Sequence, residues 1–483
     1  MIKSKVKFAG MVLLLMATLT SVGCSKDKGD DTETPPSAEI LDLGDGSTAY
    51  EIKANTTLKY PNTYNLKGFV YVIDGVTLTL EPGVVVKGDK STKGTLIIEK
   101  GGKIMAQGTR DRPIVFTSAQ PAGSRKAGDW GGIIMLGKAR NNLGEQTIEG
   151  GIRSKHGGAN DADNSGVLSY LRCEFAGIEY STDNEINGIT FGSVGSGTKI
   201  DHVQVSYSGD DSFEWFGGCV NASHLIAFRG WDDDFDTDNG FSGKIQFALA
   251  LRDPQVADKS ASNGFESDNK ADGGPETPFS ECVFANVSLF GPVANTASYT
   301  NAQVDKGSAI DSRFQAALHL RRNTRLSIFN SLIAAYPVGL IIENNGRGDA
   351  QGNATAGFLN VTNCVMAGCI KNWQDKQVWT SGSQFSPGDS VIVRSYWERP
   401  AGGNRAFATL GDLQLSGNPL NLASPVVVPV AGSPLTSGTS WTHAKVSTGF
   451  EKVNYIGAFA PSETPSNNWT SGWTNFDPQN TVY

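Results

Sequence analysis

Short β-rich units that recur along the chain limit its fold more than any other feature. The first set runs VTLTLEPGVVVKG (76–88), TLIIEKGGKIMAQG (95–108), RPIVFTS (112–118) and WGGIIMLG (130–137). Leu80, Ile98, Phe116 and Ile134 fall at intervals of 18 residues, and Glu81-Pro82-Gly83 returns as Glu99-Lys100-Gly101. Short alternating runs of Val and Ile favour strands. One such unit cannot bury a core, but stacked neighbours can. The 57 glycines among 483 residues supply the corners that coils need. The spacing predicts a solenoid that opens with tight coils of 18 residues.

A second set follows. LRCEFAG (171–177), VQVSYSG (203–209) and HLIAFRG (224–230) align Cys173/Phe175 with Val205/Tyr207 and Ile226/Phe228. Weaker copies are ANVSLFG (285–291), NSLIAAY (330–336) and TNCVMAG (362–368). Their wider spacing predicts loops inserted at the corners. The pattern of strand, Pro-Gly corner, strand, A-x-G-T and P-I-x-F-T over 68–118 resembles the opening coils of the pectin-lyase-like superfamily. The resemblance covers roughly residues 68–370 and implies an all-β, right-handed parallel β-helix.

The ends differ from the middle. Lys3, Lys5 and Lys7 precede an apolar run from Met11 to Leu19, and Ser21-Val22-Gly23-Cys24 follows. The run is too short to span a bilayer, so residues 1–23 read as a signal peptide. Cys24 after Gly23 resembles a bacterial lipobox, which implies lipidation of Cys24. Residues 24–50 read as a polar tether. Its early acidic residues resemble a surface-export signal, which implies an outer-membrane protein facing the exterior, held to the membrane by lipid. Residues 51–370 then form the β-helix, and 371–483 form the last coils and a cap. Trp373, Trp379, Trp397, Trp441, Trp469 and Trp473 lie in that last part. Aromatic rings there would close the final strand edge.

Charge excludes one class of partner. Without the three signal lysines the chain carries 38 basic against 49 acidic side chains, a net charge near −11. Nucleic acid would require a basic face. Five cysteines remain after Cys24, an odd number without metal-ligand spacing, and Cys173 and Cys364 sit in apolar alternation as core residues do.

The chemistry concentrates between residues 209 and 274. Asp211-Ser212-Phe213-Glu214, Asp233-Asp234-Phe235-Asp236 and Asn263-Gly264-Phe265-Glu266 align on a phenylalanine, and Asp238 and Asp268 extend two of them. The phenylalanines are 22 and then 30 residues apart, one coil each with a loop in the second. Stacking would set Glu214, Asp236 and Glu266 in a ladder with a rise of about 4.8 Å. A calcium ion binds carboxylate oxygens at about 2.4 Å and fits between such coils. Asp211, Glu214, Asp233, Asp236, Asp238, Glu266 and Asp268 are therefore candidate calcium ligands. Asp210, Asp232, Trp215 and Trp231 flank them as candidate sugar contacts.

Stacked carboxylates of this kind resemble the calcium site of pectate lyases. That resemblance implies an arginine or lysine base, for which Arg229, Lys244 and Arg252 are nearest. Polygalacturonase signatures are absent: there is no Gly-His-Gly and no Arg-Ile-Lys. Acidic residues at β-helix corners also serve as turn formers. The reading is a surface lipoprotein that binds an extracellular polysaccharide through calcium, as an accessory of outer-membrane nutrient capture. A calcium-dependent lyase or glycoside hydrolase and a structural or adhesive protein are the alternatives, and fold alone does not choose among them.

Overall fold

The computed structural model describes residues 38–182, 184–293, 310–377 and 389–483. Cys24, the signal segment and Trp379 lie outside them. Residues 38–483 form one compact unit. No helix among the described residues is long and apolar enough to cross a membrane.

Strands of successive coils pair in parallel and build two long sheets, one of seventeen strands and one of eleven. This is the expected right-handed parallel β-helix. Inward side chains of both sheets, among them Leu66, Leu96, Ile98, Val203, Phe213 and Phe235, join in one continuous apolar core. The coils are larger than the 18-residue interval suggested. Leu80 stacks on Leu58 and Ala106, whereas Ile98 stacks on Val72 and Met135 in the other sheet. Each coil holds several strands, so the 18-residue step moves from one strand to another without completing a turn. The alignment of the second set also slips by one at its third copy, where Val205 pairs with Ala227 and not with Ile226.

The first coil starts inside the expected tether. Strand Ile40–Leu43 already pairs with Thr63–Leu66. In the five coils between residues 166 and 290 two strands merge into one bent strand: Gly166–Glu174, Lys199–Ser206, Asn221–Phe228, Lys244–Leu251 and Val283–Phe290. Every bend is a non-glycine residue in the left-handed region, namely Tyr170, His202, His224, Phe247 and Asn286, with φ of 47 to 60°. Such a conformation costs roughly 1–2 kcal/mol per residue. Stacking offsets it: the rings of Tyr170, His202, His224 and Phe247 lie 4.4, 4.2 and 5.1 Å apart in a single column.

The tail closes more than the last coil. It turns back and runs along the long sheet toward the start of the chain. Asn286 donates its side-chain amide to the Tyr455 carbonyl at 2.9 Å, Gln204 to Asn475 at 2.7 Å, and Lys87 its ammonium to the terminal Tyr483 carbonyl at 2.9 Å. Ile456, Phe459, Trp469 and Trp473 cover an outward apolar face formed by Ile226, Phe228, Leu249, Leu251 and Phe290. Each large apolar side chain so buried contributes about 2–3 kcal/mol. Asp201 fixes the column beneath, with its two oxygens 2.9 Å from Nδ1 of His202 and of His224. Because those rings stack at 18°, their in-plane lone pairs run side by side and do not converge on one ion. Trp473 meets His202 edge-on at 5.6 Å, so the column serves as a docking platform for the tail.

Candidate functional site

The phenylalanine alignment fixes the site. Phe213, Phe235 and Phe265 stack in register on strands Phe213–Phe216, Phe235–Asp238 and Phe265–Ser267, all fully buried. Their ring centroids are 5.8 and 5.0 Å apart. Side chains alternate between faces of a strand, so the next residue of each strand points outward. Glu214 therefore pairs with Asp236 and Asp236 with Glu266, and His319 continues the row.

A second row lies beside the first. Asp211 accepts the backbone N–H of Asp233 at 2.8 Å, Asp233 accepts that of Asn263 at 2.5 Å, and Asn263 accepts that of Ala316 at 3.2 Å. This is the turn-forming role of corner Asp and Asn residues, and it coexists with the acidic row. Oxygens of Asp211, Glu214 and Asp236 lie within 4.8 Å of one another, as do those of Asp233, Asp236 and Glu266, and of Asp210, Asp211 and Asp232.

The two ends of the groove have opposite electrostatics. At one end Arg321 pairs with Glu266 and Asp268, Arg322 reaches Asp268 at 2.7 Å, and His319 lies 3.6 Å from Glu266. Burial alone would raise the Glu266 carboxyl, but Arg321, His319 and Arg322 outweigh it and hold it at about 2. At the other end, among the described residues, no basic side chain forms an ion pair with Asp211, Glu214 or Asp236. Burial and neighbouring carboxylates lift all three well above the ordinary range. Burial and Asp258 raise Asp232 to about 7, and burial and Asp268 raise Asp238 to about 7. Asp210 shifts the same way through burial and Asp232. One oxygen each of Asp232 and Asp236 is buried without a hydrogen-bond partner.

Sequence reasoning missed the acids that loops bring to this end. Glu149, from the excursion between strands Gly132–Leu136 and Gly166–Glu174, comes close to Asn187 and Glu214. Lost solvation and the charge of Glu185 raise it to about 7. Glu185 and Asp258 add further charge around Asp210. No spacing signal could reveal them, because insertions carry no coil register.

The other candidates fall elsewhere. Trp215 is fully buried, stacked between Phe191 at 5.5 Å and Phe241 at 5.3 Å, so it is core and not a sugar contact. Trp231 is 43% exposed beside Asp232. Arg252 is buried under the groove, donating to Asp234 at 2.9 Å and to the Trp231 carbonyl at 3.1 Å. Arg229 pairs with Asp253 and donates to the Tyr207 hydroxyl at 2.8 Å. Lys244 lies on the other sheet, donating to the Thr448 carbonyl at 2.8 Å. It lines a cleft of about 550 Å³ between that sheet and the tail, away from the acidic rows. Sequence proximity misplaced Arg229 and Lys244, because a few residues along a coil carry the chain to another face, whereas Arg252 lies near the acids but is committed to Asp234 beneath them. The five cysteines are free, and Cys173 and Cys364 are fully buried.

A family model described as a pectate-lyase-like β-helix domain matches residues 50–393, well over half of the chain. Comparison with curated proteins returned no match. Comparison with solved structures returned none either.

Proposed function

The chain belongs to the pectate-lyase-like β-helix family, and on that premise we propose that it is a surface-held lipoprotein that captures an extracellular polysaccharide through calcium in the acidic groove. The family points to polysaccharides as the ligand class. The observation that carries the calcium reading is the unneutralised end of the ladder. Asp211, Glu214 and Asp236 present only oxygen donors, which suits a hard cation, and Asp236 keeps a buried oxygen without a partner. These three would hold the ion, which would bridge protein carboxylates to anionic groups of the ligand. Glu266 is already committed to Arg321, so the trio that includes it is the weaker site. Trp231 at the rim offers an exposed ring for a sugar face.

Binding is favoured over catalysis because Arg229, Lys244 and Arg252 each have an established partner and none is poised over the carboxylates. With lipid on Cys24 the molecule would serve an outer-membrane uptake system as an accessory. Calcium at millimolar concentration should raise the melting temperature, since a ligand that binds only the folded state stabilises it. Glu214→Gln and Asp236→Asn should each abolish that response and stabilise the calcium-free protein at pH 8 by roughly 1–3 kcal/mol through lost repulsion. Retention on acidic polysaccharide columns should require calcium. An unchanged melting curve, or unsaturated sugar products, would sink the binding reading.

A further inference from the structure

We infer that the open first coil of the helix rests on the lipid bilayer that holds Cys24, an inference that depends on the lipid-anchor reading above. The two ends of the solenoid are finished differently. At the far end helix Val391–Trp397 packs on the last strands, with Val393 and Trp397 in the core. At the near end, among the described residues, strands Ile40–Leu43, Tyr50–Ile52 and Thr56–Leu58 pair on one side only. Ile40, Leu41, Tyr50 and Tyr60 are 72, 38, 37 and 50% exposed there. Of the eleven large apolar side chains exposed among the described residues, four thus crowd into this coil, against Val391 and Ile392 on the far-end helix. An end of this kind invites a covering partner.

The tether selects the partner. The 14 residues from Cys24 to Ala38 reach at most about 50 Å even when fully extended. The anchor therefore keeps this end within about 50 Å of the membrane and makes it the end that meets the lipid most readily. Tyrosine suits the bilayer interface, because its ring is apolar and its hydroxyl stays wet. Exposed Lys53 and Lys59 are offset by exposed Glu39, Asp42 and Asp45, so the contact does not require anionic lipid. It can also be weak, because a short tether supplies an effective concentration in the millimolar range. A second copy is the competing occupant, but two chains anchored in one membrane would both turn this end toward the lipid. The ladder strand at Phe213–Phe216 lies five coils along from strand Tyr50–Ile52, about 24 Å. The acidic groove would then stand clear of the lipid headgroups.

The test uses the full-length lipidated protein in phosphatidylcholine vesicles. An environment-sensitive fluorophore is attached at Ile40→Cys, and at Val430→Cys as a control on another exposed apolar side chain. The Ile40 label should shift to the blue and be quenched several-fold more by spin-labelled lipid than the Val430 label. An Ile40→Asp/Tyr60→Asp variant, labelled at Leu41→Cys, should lose that protection at an unchanged melting temperature. Equal quenching at Ile40 and Val430 in vesicle-bound protein overturns the inference and leaves the anchor standing. Protein that carries no lipid and stays in the supernatant overturns both. Protection that appears without lipid and grows with protein concentration overturns it in favour of a second copy.

Discussion

At the residue scale the groove depends on charges that cannot all be satisfied at once. Arg252 and Asp234 show the paired case. Both are buried, and the guanidinium bonds one carboxylate oxygen while the Tyr336 hydroxyl donates to the other at 3.3 Å. Burial still raises Asp234 to about 6 against the pull of Arg252. Arg252→Met should cost about 3–5 kcal/mol in chemical denaturation, because it strands a buried carboxylate. Arg252→Met combined with Asp234→Leu should recover most of that loss. A small cost for the single variant would mean that the pair contributes little. Glu214 and Asp236 show the opposite case, since among the described residues neither has an ion-pair partner, and the more distant Arg321 does not offset burial and the neighbouring acids around Asp236. Their ladder was legible in the sequence because each acid follows a core phenylalanine, and core positions hold register. The same alternation puts Trp215, two residues after Phe213, in the core, and only its place beside acids suggested a sugar contact.

At the element scale the bent strands explain what sequence periodicity could not. Their left-handed bends are occupied by Tyr, His, Phe and Asn, where a sequence reader looks for glycine. Stacking and the returning tail hold them there. Of these two, the tail alone holds Asn286, whose amide also reaches the Gly457 carbonyl at 3.2 Å. Asn286→Ala should cost roughly 2–4 kcal/mol, from backbone strain plus unpaired tail carbonyls. Asn286→Gly should recover only the strain. Equal costs would show that conformation is irrelevant at this position. The tail itself was legible as aromatic and terminal, but not as a strap. Its partners lie as much as 396 residues away in sequence, a separation at which no local pattern survives.

At the scale of the whole molecule the acidic groove should invert the usual response to acid. Asp232, Asp238 and Glu149 are raised from ordinary carboxylate values to about 7. Between those values the folded state holds protons that the unfolded chain has released. Stability supplied by these groups is therefore complete below about pH 4 and disappears as pH rises through 7. Glu266, held at about 2, acts in the other direction, and its contribution disappears only as pH falls toward that value. The calcium-free protein should melt at a higher temperature at pH 5 than at pH 8, and calcium should remove the difference. A melting temperature that rises steadily from pH 5 to pH 8 without calcium would contradict this electrostatic account.

The strap also changes what kind of polymer the protein is. A bare solenoid is a one-dimensional stack in which terminal coils can fray while the centre stays folded. Here the last residue binds Lys87, and Arg125 grips the Pro478 and Thr481 carbonyls at 2.6 and 2.8 Å. Residues 478–483 thus tie the late coils to Lys87 and Arg125, and that stretch of the stack becomes a closed circuit. Contacts of such high order slow folding. In return they tie the coils from strand Val85–Gly88 onward to the late ones, so that a pull on the tail does not peel those coils one at a time.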